Sequence, residues 1–493
     1  MPNLAHNVVL AAARHPHRPA LRLGERIWTY REVDVLSARV AAALTADGLR
    51  PGDRVGLMLP NVPAFVVLYY GILRAGGTVV PINPLFKARE VEYYLADSGA
   101  DRLFVVDQAM EAAEPAARAT GARLVRVDPT DVTTVAGAHE PLPTVCDRDD
   151  GATAAIFYTS GTTGRPKGAE LTHHNLIRNV DVVTRLFDLT ERDVVLGCLP
   201  LFHIFGQGCA MNTALKQGAC LVLIPRFDPG EVLRAVARHR VTVFEGVPTM
   251  YAALLAHPED TDTSSLRLCV SGGASLPVPV LHGFEKRFDC AVLEGFGMSE
   301  CSPVVSFNHP DRPRKPGSVG TPVEGVEVRV LAPDGTPVPR GETGELAVRG
   351  HNVMKGYWNR PDATAETVPD GWLRTGDLVR EDEDGYLFVV DRKKDMIIRG
   401  GYNIYPREIE EVLYEHPDVL EAAVLGIPHD TLGEDVAVAV VLRPGAEQRP
   451  DELRRFVKDR VAPYKYPRHI HYLDTLPKGP SGKILKREID VPR

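Results

Sequence analysis

Apolar residues in the first third of the chain recur as short runs separated by longer stretches of helical spacing. Residues 20–23 and 26–29 read as strands flanking Gly24-Glu25, the pattern of a hairpin. Thr29 then opens a helix predicted through Ala43, and Glu32 three residues later completes a capping box. Runs at 55–59, 78–82 and 102–106 read as buried strands, with 63–75 as an apolar core helix. This strand–helix–strand rhythm predicts a parallel sheet covered by helices. It continues through a strand at 154–157, a helix over 173–187, a strand at 193–199 and strand–loop units at 243–250 and 267–274. Between 317 and 356 the texture changes to alternating short strands, which predicts an antiparallel β-subdomain. The last stretch alternates again: a helix over 406–415, strands at 421–426 and 436–442, and a helix over 451–461. Residues 130–151 read as a linker, and no internal repeat interrupts the pattern.

Length adds that 493 residues exceed one ordinary core, so two or more domains are expected. Apolar content of 44% and charged content of 25% are those of a soluble globular protein. A net charge of −8 gives no reason to expect a nucleic-acid partner. The seven cysteines (Cys146, Cys198, Cys209, Cys220, Cys269, Cys290, Cys301) form no C-x-x-C pair. That argues against a zinc site and a disulfide framework, and for reduced, buried thiols in the cytoplasm. No secretory signal is read over 1–14, and no apolar run approaches the ~20 residues of a spanning helix. Peripheral membrane contact and a homodimer are both compatible with this composition.

The candidate chemistry centres on Tyr158-Thr159-Ser160-Gly161-Thr162-Thr163-Gly164-Arg165-Pro166-Lys167-Gly168. Its glycines allow successive N–H groups to converge on an anion, its hydroxyls add donors, and Lys167 adds a compact charge. It is not a Walker A loop: Pro166 stands where that motif needs glycine, and Gly168 follows Lys167 in place of Ser or Thr. A second run, Glu294-Gly295-Phe296-Gly297-Met298-Ser299-Glu300, begins like a dinucleotide fingerprint. Glu300 replaces its third glycine and no helical pattern follows, so that reading fails.

The first run closely resembles the phosphate loop of the adenylate-forming enzymes, the superfamily of acyl-CoA synthetases, adenylation domains and luciferases. Further motifs follow in family order over essentially the whole chain. The resemblance implies that Thr159, Ser160, Gly161, Thr162, Thr163, Gly164 and Lys167 hold ATP phosphates. It implies that Gly273 and Ala274, with Glu294, Gly295, Phe296 and Gly297, border the adenine, and that Ser299 meets the α-phosphate. Glu300, with Thr159, would hold Mg²⁺; Asp377 and Arg392 would take the ribose; Lys483 would be the catalytic lysine of the C-terminal motif. His203 matches the histidine that gates the acyl pocket, whose expected wall is Ile204, Phe205, Val247, Met250, Gly272, Ala274, Pro303 and Val304.

The fold so implied is α/β: a large N-terminal domain, 1–390, of parallel-rich sheets with helices plus a β-subdomain, then a small α+β domain, 396–493. The hinge between them is 391–395, with Lys394 or Asp395 at the pivot. The expected substrates are a carboxylic acid, ATP and coenzyme A, with Mg²⁺ as cofactor. The acid's oxygen attacks the ATP α-phosphorus, and a thiol then takes the acyl group from AMP. The apolar pocket residues, without a cation for a second carboxylate, favour a fatty acid of medium or long chain. An aryl acid such as a cinnamate fits the same composition. Transfer to a carrier protein ranks lower, because only 378–390 separate Asp377 from the hinge.

Overall fold

The structure, a computed structural model, describes residues 3–159, 165–429, 431–479 and 482–491. The expected hairpin forms: Pro19–Leu23 pairs antiparallel with Arg26–Thr29. The Thr29 side chain accepts from the backbone N–H of Glu32, whose carboxylate answers on the Thr29 N–H at 2.6 Å. The capped helix runs Tyr30–Ala46.

Two large sheets carry the N-terminal part. One has nine strands, with Val194–Gly197, Val243–Gly246, Leu268–Ser271 and Val292–Gly297 parallel in its middle. Antiparallel strands close both its edges. The other has seven, with a parallel centre of Thr153–Thr159, Thr78–Pro81, Arg54–Met58 and Arg102–Val105. The helix Pro63–Arg74 is buried at every residue, as a helix apolar on all sides must be. The β-subdomain is a four-stranded antiparallel sheet, but Gly356–Tyr357 leaves it and pairs with Lys167–Thr172 of the seven-stranded sheet. The helices Ala88–Ser98 and Met110–Thr120, not foreseen, cover that sheet, their boundaries blurred by scattered alanines and charges.

Buried residues of both large sheets and the β-subdomain form one continuous apolar cluster. Beyond Met396 a separate cluster gathers Ile397, Ile404, Ile409, Leu413 and Val419 around the strands Val419–His429 and Gly433–Leu442. Beside it Arg399 and Asp435 form an ion pair of 3.1 Å with 4% and 1% of their side chains exposed. No helix among the described residues is long and apolar enough to cross a membrane. All seven cysteines are free, and six are buried.

Removing one partner of a buried ion pair leaves an uncompensated charge and costs about 3–5 kcal/mol. Asp435→Ala is therefore expected to loosen the C-terminal sheet selectively. Hydrogen exchange should accelerate in Gly433–Leu442 while Thr153–Thr159 keeps its protection; equal rates in both would contradict this.

Candidate active site

The strand Thr153–Thr159 turns back as Lys167–Thr172, with Thr159 opposite Lys167. Ser160, Gly161, Thr162, Thr163 and Gly164 lie outside the described residues. Lys167 begins a strand, and the next residue must be glycine, because a Cβ at Gly168 would stand 2.6 Å from Ile156. Below the turn, Asp97 accepts from Tyr158 at 2.9 Å and from Arg360 at 2.6 Å, tying the hairpin to the segment after Tyr357.

Glu300 is 6% exposed, and its Oε1 accepts from the Thr159 hydroxyl at 3.0 Å and the Tyr357 hydroxyl at 2.9 Å. The Lys167 ammonium stands 5.0 Å from the centre of the Tyr357 ring. A buried carboxylate that accepts from two neutral hydroxyls suits a hard divalent cation completed by phosphate oxygens. Tyr357 escaped the sequence reading because a two-residue strand has no periodicity to betray it.

Gly295 and Gly297 are required for packing as well as for any ligand. A Cβ at 295 would fall 2.4 Å from the Phe307 ring, and one at 297 would fall 2.2 Å from the Pro303 carbonyl. Glu294 accepts from the Leu276 N–H at 2.9 Å, and burial pushes its carboxyl up to about 7. It thereby anchors the turn holding Gly273, whose φ of +80° only glycine adopts readily. Ser299 opens the short helical turn Ser299–Cys301, which sets Glu300 beside Thr159.

A cleft lies above these elements. Gly273, Ala274, Gly295, Phe296 and Gly297 line one side; Asp377, Arg392, Asp395 and Lys483 line the other. Asp377 and Arg392 are register partners on adjacent strands, with Nε 3.3 Å from Oδ1. Burial raises the Asp377 carboxyl above its usual value, and Arg392 pulls it back. Asp395 turns its N–H onto the Arg392 carbonyl at 2.9 Å, whereas Lys394 is exposed.

Lys483 arrives on a C-terminal hairpin, in which its carbonyl accepts from the Gly479 N–H at 2.7 Å. The Thr249 hydroxyl donates to the Gly482 carbonyl at 2.9 Å, pinning this tail to the N-terminal part. Gly482 has φ +81°, and a Cβ there would stand 3.0 Å from both Thr249 and Val247. Burial, then the Arg392 charge, pushes the Lys483 ammonium down to about 8, against the pull of Asp377 and Asp395. Thr249 was not anticipated, nor were two further clamps: Lys486 to Glu410 at 2.7 Å, and the Arg407 N–H to Asp391 at 3.1 Å. Single polar residues give no local signal for contacts made across such distances in the chain.

At the expected acyl pocket, His203 Nδ1 accepts from the Phe205 N–H at 3.3 Å, leaving the ring proton on Nε2. Burial, helped by the Lys483 charge, pushes this imidazole down to about 4, so it is neutral at pH 7. The Phe205 ring lies 3.2 Å from where a Cβ of Gly272 would be, and Pro303 lies 3.1 Å from where a Cβ of Gly208 would be. Val247 and Ala274 line the cleft; Ile204, Phe205, Met250, Gly272, Pro303 and Val304 are buried. Glu245, between these segments, is fully buried with neither carboxylate oxygen hydrogen-bonded.

Residues 9–358 match the family described as AMP-binding enzyme, and residues 408–483 match the AMP-binding enzyme C-terminal domain. A long-chain-fatty-acid–CoA ligase of Bacillus subtilis is 39% identical, over 99% of this chain and 94% of its own. A feruloyl-CoA synthase of an Amycolatopsis species is 43% identical, over 98% of this chain and 97% of its own. The crystal structure of ATP-bound MatB from Rhodopseudomonas palustris superposes with a TM-score of 0.93 at 34% identity, covering 99% and 97%. Fold and site thus define an adenylate-forming architecture. The chain belongs to the AMP-binding enzyme family.

The position of Lys483 has a direct readout. With lysines reductively methylated with ¹³C, one resonance, missing in Lys483→Ala, should titrate near 8. Arg392→Ala should move it upward, because the larger opposing cation is gone. Titration at an ordinary lysine value in the unmodified cleft would contradict the geometry.

Proposed function

We propose that the protein joins a fatty acid of medium or long chain to coenzyme A at the expense of ATP, through an acyl-adenylate. The observation that carries this reading is the buried Lys483 ammonium, held in one cleft with Asp377 and Arg392 and with the glycine-rich strand end Gly295, Phe296 and Gly297. A desolvated cation in such a place favours anions, and both reactants of the first step are anionic.

The acid's carboxylate oxygen attacks the α-phosphorus, the bond to the bridging oxygen breaks, and pyrophosphate leaves. Lys483 neutralises the oxygens as they approach, and Lys167 with the hydroxyls of residues 159–163 cradles the departing phosphates. Asp377 accepts from the ribose hydroxyls, while Arg392 spans ribose and phosphate. Glu300, steadied by Thr159 and Tyr357, would hold Mg²⁺, which supplies charge neutralisation at the phosphates when bound. His203 remains neutral at the mouth of the acid's site. Residues 391–395 act as the hinge between a domain 1–390 and a mobile domain 396–493. Rotation there withdraws Lys483 and admits coenzyme A, whose thiol sulfur attacks the acyl carbon as AMP leaves. No protein nucleophile takes part. The reaction is placed in the cytoplasm, consistent with seven free thiols.

An aryl acid is the second reading, favoured by the 43% identity to a feruloyl-CoA synthase. Acids screened for ATP- and CoA-dependent AMP release separate the two, and a strong preference for aryl acids would overturn the fatty-acid choice. Lys483→Ala should lower acid-dependent ATP–pyrophosphate exchange by roughly 100-fold or more, yet still convert supplied acyl-AMP to the thioester. Equal loss of both half-reactions would contradict the alternating arrangement. In wild type, kcat/KM for adenylation should fall as pH rises through about 8, where the free enzyme's Lys483 loses its proton.

A further inference from the structure

Side chains alternate along Val243–Gly246, so Phe244 and Glu245 leave the sheet on opposite faces. The Phe244 ring packs 5.2 Å from Tyr251 and 6.4 Å from Phe284, under the helices Pro248–Ala256 and Val278–Phe288. Glu245 therefore projects from the other face. There the register carries it past the pair Phe244–Leu196 to the flank of Gly197, where the Leu221 side chain packs over the glycine. The neighbouring strand Val194–Gly197 is covered by the wide helical turn Gly206–Met211, directly after His203, Ile204 and Phe205. Cys209 of that turn is near enough to Glu245 for the carboxylate charge to raise the thiol further. The same turn sets Gly208 against Pro303.

Glu245 thus sits in the wall built from the segments around His203, Val247 and Pro303. Its exposure is 0%, and neither carboxylate oxygen has a hydrogen-bond partner. Gln207, in the covering turn, is also fully buried and leaves its amide oxygen unpartnered. Orphaned polar atoms in an apolar wall lower stability unless something pairs with them, and a methionine or leucine would pack the same volume without that loss. Burial pushes the Glu245 carboxyl up to about 8, so at pH 7 it is an acid able to donate and accept.

We infer that Glu245 determines specificity by hydrogen-bonding a hydroxyl group carried on the distal end of the acid's apolar body. This rests on the acid–CoA ligase reading and narrows its substrate. A hydroxyl matches the chemistry best, since it donates to one carboxyl oxygen or accepts from the acid proton without either group becoming charged. A second carboxylate would meet no cation there, and an ammonium would force an ionised pair into an apolar wall. The hydroxyl is phenolic or aliphatic.

Matched acids test this: 4-hydroxycinnamate against cinnamate, and 12-hydroxydodecanoate against dodecanoate, each in ATP- and CoA-dependent AMP release. Wild type should favour the hydroxylated member of at least one pair by roughly tenfold or more in kcat/KM. The pair that discriminates identifies the phenolic or the aliphatic source. In Glu245→Met that ratio should fall to about one or invert, while Glu245→Gln retains part of it. No preference for a hydroxyl in wild type would overturn the inference, even if the Met variant fails to fold. A folded Glu245→Met that lowers both members of a pair equally would overturn it too. If no acid supports CoA-dependent AMP release, it is the ligase reading that fails; turnover of all acids without hydroxyl discrimination defeats Glu245 alone.

Discussion

The desolvated ammonium of Lys483 is the constraint on which the arrangement depends. It lies on the C-terminal tail, yet the groups that shift its proton affinity, Arg392, Asp377 and Asp395, belong to the last two strands of the β-subdomain and the segment beyond. Bringing the lysine in from water lowers its pKa from 10.5 to about 8. The buried lysine therefore binds fewer protons than a lysine in water does. Its penalty is fully present below about 8 and disappears as pH rises toward the solvent value. At neutral pH a few kcal/mol oppose its burial, and the Thr249–Gly482 hydrogen bond and the Lys486–Glu410 pair act against that cost. An anion in the cleft removes the opposition. Burial of this lysine and binding of an anion beside it are thus thermodynamically linked.

The junction around Glu300 rests on a different device. Three segments far apart in sequence, ending in Thr159, Glu300 and Tyr357, meet at one carboxylate oxygen. The meeting is enforced by backbone pairing: Thr153–Thr159 pairs with Lys167–Thr172, and Gly356–Tyr357 pairs with that strand in turn. Close packing then dictates the glycines. Gly168, Gly295 and Gly297 leave no room for a methyl group because neighbouring protein fills it. A glycine-rich run near nucleotide chemistry is, at these positions, a statement about strand packing.

This explains what could be read in the sequence. The hairpin at Gly24-Glu25, the Thr29 capping box and the all-round apolar helix are local, and each stands where periodicity puts it. The family motifs around Thr159, Glu300, Asp377 and Lys483 are compact strings, so the adenylate-forming architecture was legible as well. Contacts made across distance were not. Tyr357 sits on a two-residue strand, Thr249 is one threonine on a helix, and Asp391 is one carboxylate in a charged run. Their roles follow from sheet order and domain approach, which no window of sequence contains. Among the pocket residues the same limit shows differently. Val247 and Ala274 line the cleft, while Phe205 and Gly272 face each other, and composition alone could not divide them.

Nucleotide and acid therefore pose unequal problems to this AMP-forming acyl-CoA ligase. The side chains that would meet the phosphates and ribose of ATP are charged or polar, and Glu300 among them is already hydrogen-bonded by two hydroxyls. The acid's wall is almost wholly apolar, and apolar walls discriminate weakly, by about 1–3 kcal/mol per methylene. Sharper choice requires a buried polar group that the wrong substrate leaves unpaired. Among the described residues of that wall, Glu245 has the burial, the missing partners and the proton to act in this way. Its instability in the empty protein and its selectivity in the filled one are the same free energy, counted before and after a hydroxyl arrives.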